Sequence, residues 1–443
     1  MNWNKIFKKI FLISILFYIE IATSFSDRTY MEKDFSSDDK IPISARLSNN
    51  LSKYKSMQEF DNQINSFLRK WDITGASVAL VKDGKLIYAK GFGYANKEQK
   101  EEVQPKHIFR IASVSKLITA TAIMKMVEQK EISLTDTVFG QNGILNDSIY
   151  LDIRDKRVKN ITIQNLLDHS AGFSKRYGDP MFKYQTISKK IHKDLPLKSD
   201  DVISYVLKYR KLGFAPGTKK KYSNLGYAIL GKVIEKKSET CYEDYVLANI
   251  LNPIGIYDMH IGKSNKDEKF DNEVVYYGLK GEKKVLSCFG SGELVPKYYG
   301  GNPIELLGSA GGWVASPAEI MKFIVAIDGN NNSKDILSPQ TIKKMTYPRK
   351  GNGPYGWTGT NAKGEWWRTG TLSGTSALVK RQENGISWVF VMNSTAKKGA
   401  KFPVQINKTM INAISTVKKW PVYNLFDYYE PKSKELVLVK NAI

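Results

Sequence analysis

Ser113 and Lys116 stand three residues apart at the start of an apolar stretch running from Ile111 to Gln129. Residues at this spacing share one face of a helix, so a hydroxyl and an amine placed there can meet. A serine needs a nearby base to become a nucleophile. A lysine among Leu117, Ile118, Ala122 and Ile123 loses proton affinity and can serve as that base. The start of a helix also favours negative charge developing at Ser113. The same spacing recurs at Ser37/Lys40, Ser52/Lys55, Ser394/Lys397 and Ser415/Lys418. Only the Ser113 copy puts its lysine inside an apolar helix, where a charge demands a reason.

Two further groups fit acyl chemistry. Tyr222-Ser223-Asn224 follows Pro216-Gly217 and leads into a helical pattern at Tyr227 to Ile234. A tyrosine beside a lysine can share its proton as general acid and base, and an asparagine amide can hold a substrate carbonyl. Arg368-Thr369-Gly370 offers a charge, a hydroxyl and close backbone approach. The triplet precedes the late strand, and the plain alternative is an ordinary glycine-containing turn.

These residues need a scaffold. Ala76 to Val81 and Leu86 to Ala89 are strand-like runs joined through Asp83-Gly84, a strong hairpin signal. Ala377 to Val379 and Trp388 to Met392 are strand-like near the other end. Residues 111–129 read as a buried helix, and about 133–260 as helices and loops. A further helix is expected with Phe60, Ile64, Phe67 and Leu68 on one face. Strands at both chain ends with helices between them predict an α+β fold, an antiparallel sheet beside an all-helical region. The main domain is expected over 56–420, after a polar linker at 27–55 and before a tail at 421–443.

Lys5, Lys8 and Lys9 precede an apolar run from Ile10 to Ile19, then Ala22, Thr23, Ser24 and Ser26. That layout predicts a signal peptide at 1–26, or an N-terminal anchor if uncleaved. The chain is expected to be exported, periplasmic or secreted, with membrane contact only through this segment. Export would permit a Cys241–Cys288 disulfide without demanding one.

The 443 residues are 42% apolar and 25% charged, which excludes a disordered or fibrous chain. The two cysteines and four histidines lack ligand spacing, so neither metal nor cofactor is expected. The net charge of +23 comes without a nucleic-acid-binding motif, and no nucleic-acid partner is expected. Oligomeric state is not encoded legibly.

Taken together, Ser-x-x-Lys, Tyr-x-Asn and a basic-Thr-Gly triplet resemble the serine β-lactamases and penicillin-binding proteins. The nearest branch is the one holding class C β-lactamases, DD-peptidases and esterases. Phe109 to Lys116 resembles its nucleophile segment, and Ile161 to Gly172 its Leu-Leu-x-His-x-Ser-Gly stretch. Pro216-Gly217, Tyr222 to Asn224 and Gly226-Tyr227 match its second segment, and Ser309 to Gly312 with Ser316 a later one. The resemblance spans roughly 56–415 in the family's order.

It implies the β-lactamase/transpeptidase-like fold and a serine hydrolase acting on a small-molecule or peptide substrate. That substrate would be a β-lactam, a D-amino-acid peptide (peptidoglycan-derived ones included) or a small ester. Ser113 would be acylated, with Lys116 and Tyr222 exchanging its proton. Asn224, Arg368, Thr369 and Gly370 would bind substrate, and the backbone N–H groups of Ser113 and Thr371 would form the oxyanion hole. The triplet usually opens with Lys or His; Arg368 keeps the charge but cannot give up a proton. It is therefore expected to hold an anionic substrate group. Read from charge alone, Lys219-Lys220-Lys221 is a solvated loop or else a basic cleft rim suited to carboxylate-bearing substrates, and residues 262–306 are expected to shape specificity.

Two rivals remain. Asp168-His169-Ser170-Ala171-Gly172 is one residue short of the α/β-hydrolase elbow, with Asp168 where the tight turn needs glycine. A non-catalytic binding or scaffold protein on the same fold is the other.

Overall fold

In the chain's computed structural model, residues 41–174, 176–330, 334–347 and 353–428 are described. The expected signal or anchor at 1–26, residues 27–40 of the linker and the tail beyond 428 lie outside them. From Pro42 onward the chain clusters as one unit.

The helices are α1 (Gln58–Trp71), α2 (Ser115–Glu128), α3 (Ile163–Leu167), α4 (Tyr184–Ile191), α5 (Ser199–Tyr209), α6 (Asn224–Ser238), α7 (Tyr242–Val246), α8 (Ile304–Gly311), α9 (Pro317–Val325), α10 (Pro339–Thr346) and α11 (Pro403–Ser415). The strands are β1 (Gly75–Lys82), β2 (Lys85–Asn96), β3 (Glu101–Glu102), β4 (Phe109–Arg110), β5 (His260–Ile261), β6 (Val285–Leu286), β7 (Leu294–Val295), β8 (Trp313–Ala315), β9 (Gly359–Thr360), β10 (Trp366–Leu372), β11 (Thr375–Arg381) and β12 (Ile386–Met392).

The main sheet runs β3-β2-β1-β12-β11-β10-β9. Every pairing in it is antiparallel. Its seam joins the early hairpin to the late strands, from Ala76 opposite Met392 to Lys82 opposite Ile386. This is the α+β, β-lactamase/transpeptidase-like arrangement the sequence implied. Successive strand side chains face opposite ways, and both faces here are covered. Val78, Leu80, Trp388 and Phe390 pack with Phe60, Ile64 and Ile406 of α1 and α11. Ala79, Val81, Val389 and Val391 join the larger core with α2 and α9.

Two smaller elements matter for the site. β4, β8 and β5 form a short second sheet, which anchors the chain entering α2. β6 and β7 form a separate ribbon. Residues 42–55, read from composition as a polar linker with little core, are 3-10 turns with Ile43 and Leu47 buried. Their polar side chains bond inward: Ser52 Oγ accepts from Ala89 N at 3.0 Å, and Asn49 Oδ1 from Gly91 N at 2.8 Å. Among tail residues, Asn424 Oδ1 accepts from Leu86 N and Leu425 is buried. Cys241 is exposed and Cys288 buried, and both are free thiols.

Candidate active site

The nucleophile turn is built by two sheets meeting. Ile111 N donates to Trp313 O at 3.0 Å, prolonging the β4–β8 ladder. Ala112 then takes φ +48°, a left-handed value that non-glycine residues rarely hold. The chain swings through the 3-10 turn Ala112–Val114 into α2. β10 presses on the turn from the other side. A Cβ on Gly370 would stand 2.2 Å from Ile111 O and 3.0 Å from Ser113 N, so only glycine admits this approach. The Arg-Thr-Gly triplet thus lies inside a strand rather than in a turn. The true turn is Ser373-Gly374, with Gly374 at φ +87°.

The structure gathers Ser113, Lys116, Tyr222, Asn224 and Arg368 at one point. Ser113 Oγ lies 2.6 Å from Tyr222 Oη. Lys116 Nζ donates to Ser113 Oγ at 3.2 Å, to Asn224 Oδ1 at 2.8 Å and to the Ala310 carbonyl. The Lys116 side chain is fully buried, as its apolar sequence context implied. Its ammonium also sits 4.9 Å from the Tyr222 ring centre, close enough for a cation–π attraction.

Arg368, expected to hold an anionic substrate group, lines the cleft and is committed to two protein partners. Its side chain is 1% exposed. Nε donates to Ser113 O at 2.6 Å and Nη2 to Tyr222 Oη at 3.2 Å. The guanidinium therefore clamps the nucleophile's backbone to the phenol. Its fork of donors makes that double contact possible.

Tyr222 is held from behind by the Leu-Leu-x-His stretch. His169 O accepts from Lys221 N at 2.9 Å, and His169 Nδ1 from Ser223 N at 3.3 Å. The imidazole also lies 4.6 Å from the Tyr222 ring and 5.1 Å from that of Tyr227. The segment that mimicked a nucleophile elbow is thus a support for the tyrosine loop. Ser223 caps α6, its Oγ accepting from Gly226 N at 3.1 Å. That satisfies one of the bare N–H groups of a helix start and fixes the exit of the loop.

A cleft of about 380 Å³ opens over these groups. Ser113, Tyr222, Asn224, Arg368, Thr369 and Thr371 line it together with the apolar Phe182, Leu307 and Leu372. Leu372 and Thr375 flank the two-residue turn, so they form a hydrogen-bonded pair and the next residue inward points its N–H away from β11. Thr369, two residues further, obeys this alternation: its N–H goes to Thr358 Oγ1 at 3.1 Å. Thr371 N–H faces the same side. Lys219, Lys220 and Lys221 are exposed and outside the cleft lining, and residues 262–306, many of them buried, also lie outside it. A larger open groove of about 1020 Å³ runs past Lys97, Tyr277 and Lys297, and Ser113 and Lys116 are not among the residues lining it.

Sequence reasoning missed three partners. Ala310 supplies a carbonyl to Lys116 from inside the Ser309–Gly312 stretch, and Thr358 receives the Thr369 amide. Asp179 accepts from Asn224 Nδ2 at 2.9 Å. Asp179-Pro180 signals a turn, but nothing in it points to Asn224.

Sheet, helical region and serine–lysine–tyrosine cluster together define the β-lactamase/transpeptidase-like class. A Beta-lactamase family model matches residues 60–404, and the chain belongs to that family. Protein flp of Staphylococcus aureus is 25% identical over 362 residues, 81% of this chain and 67% of its own. The octameric penicillin-binding protein homologue from Pyrococcus abyssi superposes with TM-score 0.61 at 25% identity, over 82% of this chain and 79% of its own. D-amino acid amidase from Ochrobactrum anthropi SV3 gives TM-score 0.61 at 21% identity, over 82% and 100%.

Proposed function

We propose that this chain is an exported serine hydrolase that forms an acyl-enzyme at Ser113 on an amide or ester. The observation carrying the proposal is the Ser113 hydroxyl held 2.6 Å from a phenol and 3.2 Å from a buried amine. Tyr222 and Lys116 take the hydroxyl proton as Ser113 Oγ attacks the carbonyl carbon. The oxyanion settles against the N–H groups of Ser113 and Thr371, each worth on the order of 3 kcal/mol in comparable sites. The same phenol–amine pair returns the proton to the leaving group. Water then attacks the acyl carbon while losing a proton to the pair, the bond from Ser113 Oγ to that carbon breaks, and the proton returns to Ser113 Oγ as the acid leaves.

Arg368 holds positive charge at Tyr222 throughout, without itself donating a proton to the reaction. The related D-amino acid amidase and penicillin-binding protein homologue make small D-amino-acid amides and peptides, peptidoglycan-derived ones included, natural first substrates. The apolar walls of Phe182, Leu307 and Leu372 suit small esters as well. Export rests on the basic and apolar pattern of residues 5–26.

Purified protein should react with a fluorophosphonate probe at Ser113, and Ser113→Ala should abolish labelling. A panel of nitrocefin, a D-Ala-D-Ala peptide, D-amino-acid amides and p-nitrophenyl esters then identifies the scissile bond. Folded protein that neither labels nor turns over any of these would instead be a binding scaffold.

A further inference from the structure

Lys116 is buried and donates to three neutral acceptors: the Ser113 hydroxyl, the Asn224 amide oxygen and the Ala310 carbonyl. An amide can meet an ammonium only with its oxygen and a carboxylate only with its nitrogen. Asn224 does both, giving Oδ1 to Lys116 and Nδ2 to Asp179 Oδ2 at 2.9 Å. The carboxylate therefore selects the face of the amide that the lysine sees. The other oxygen of Asp179 is also committed. Oδ1 accepts from Met181 N at 3.2 Å and caps the 3-10 turn Pro180–Phe182, which carries Phe182 to the cleft wall.

We propose that Asp179 is a positioning residue of the hydrolase: its two carboxylate oxygens lock the orientation of Asn224, and through it the placement of the Lys116 amine at Ser113. The assignment rests on the hydrolase reading above. Asp179 is absent from the cleft lining, so it acts through Asn224 and not on substrate. It lies 45 residues from Asn224 in the chain and outside the three short motifs.

The chemistry makes a sharp demand on variants. Asp179→Asn is isosteric but offers one acceptor and one donor. Either the cap is lost, or Asn224 faces a donor and turns its nitrogen toward Lys116. Asp179→Ser keeps a cap, since a serine oxygen accepts from the same N–H, but it is too short to reach Asn224.

The test is the rate of Ser113 modification by a fluorophosphonate on the full chain, resolved into maximal rate and half-saturating concentration, with melting temperature alongside. Both variants should lose at least about tenfold in maximal rate, with half-saturation unchanged and Asp179→Ser melting with the wild type. A wild-type maximal rate in either variant overturns the proposal, as does an effect confined to half-saturation. An independent readout covers a protein that never labels, the result that would sink the hydrolase reading alone. The Asn224 side-chain amide protons, followed by NMR, should exchange at least about tenfold faster in Asp179→Ser; equal exchange rates overturn the proposal.

Discussion

Arg368 shows how one side chain changes a site's logic. A single guanidinium spans the Ser113 carbonyl and the Tyr222 hydroxyl, a task for which an ammonium has the charge but not the fork. Arg368→Lys should fold and lose about tenfold in kcat/KM, roughly 1.4 kcal/mol, measured on whichever ester or amide is turned over. Arg368→Ala should lose more and melt lower, because it removes the hydrogen bonds to the Ser113 carbonyl and Tyr222 and empties a buried side-chain volume, at about 1–3 kcal/mol. The residues gathered at Ser113 were legible because their types announce chemistry: a lysine in an apolar helix, a tyrosine two residues from an asparagine. Asp179 was not legible, because an aspartate before proline reads first as a turn cap. Its second oxygen finds Asn224 only through the packing of two distant segments.

Elements are positioned by contacts that leave no room. β10 lies against the nucleophile turn with only glycine at 370. Gly370→Ala should force the strand off the Ile111 carbonyl, destabilising the fold by about 1–3 kcal/mol and abolishing Ser113 labelling. Wild-type labelling and melting in that variant would show that the strand has slack. The early hairpin was readable from Asp83-Gly84, which brings Asp83 to φ +50° and Gly84 to φ +79°. β10 was not, because Trp366-Trp367-Arg368-Thr369-Gly370 lacks an apolar–polar alternation. Buried Arg368 and the backbone contact at Gly370 replace the usual side-chain pattern. Ile43 and Leu47 similarly hid in a stretch read as polar, since Ile41, Ile43, Ala45 and Leu47 alternate with a strand's period while the chain folds there as 3-10 turns.

At the scale of the whole molecule, burial also writes a pH dependence into stability. Glu319 in α9 is fully buried, and desolvation, with Asp258 nearby, pushes its carboxyl up to about 8. A raised value means that the folded state holds the proton more tightly than the unfolded chain. This contribution is complete below the ordinary carboxylate range near 4.5 and is lost as pH rises through about 8. The melting temperature should therefore fall between those limits, and Glu319→Gln should flatten the slope. An identical slope in both proteins would assign the effect elsewhere.

The sheet also sets a timetable. β1 can complete its ladder only when residues 386–392 have left the ribosome, and Arg368 precedes them by just one hairpin. The serine, lysine and phenol are synthesised long before, and on this reading their final placement waits for that ladder to close. A nascent chain halted before β12 should thus ignore acylating reagents, and catalytic competence should arrive abruptly, close to the end of translation.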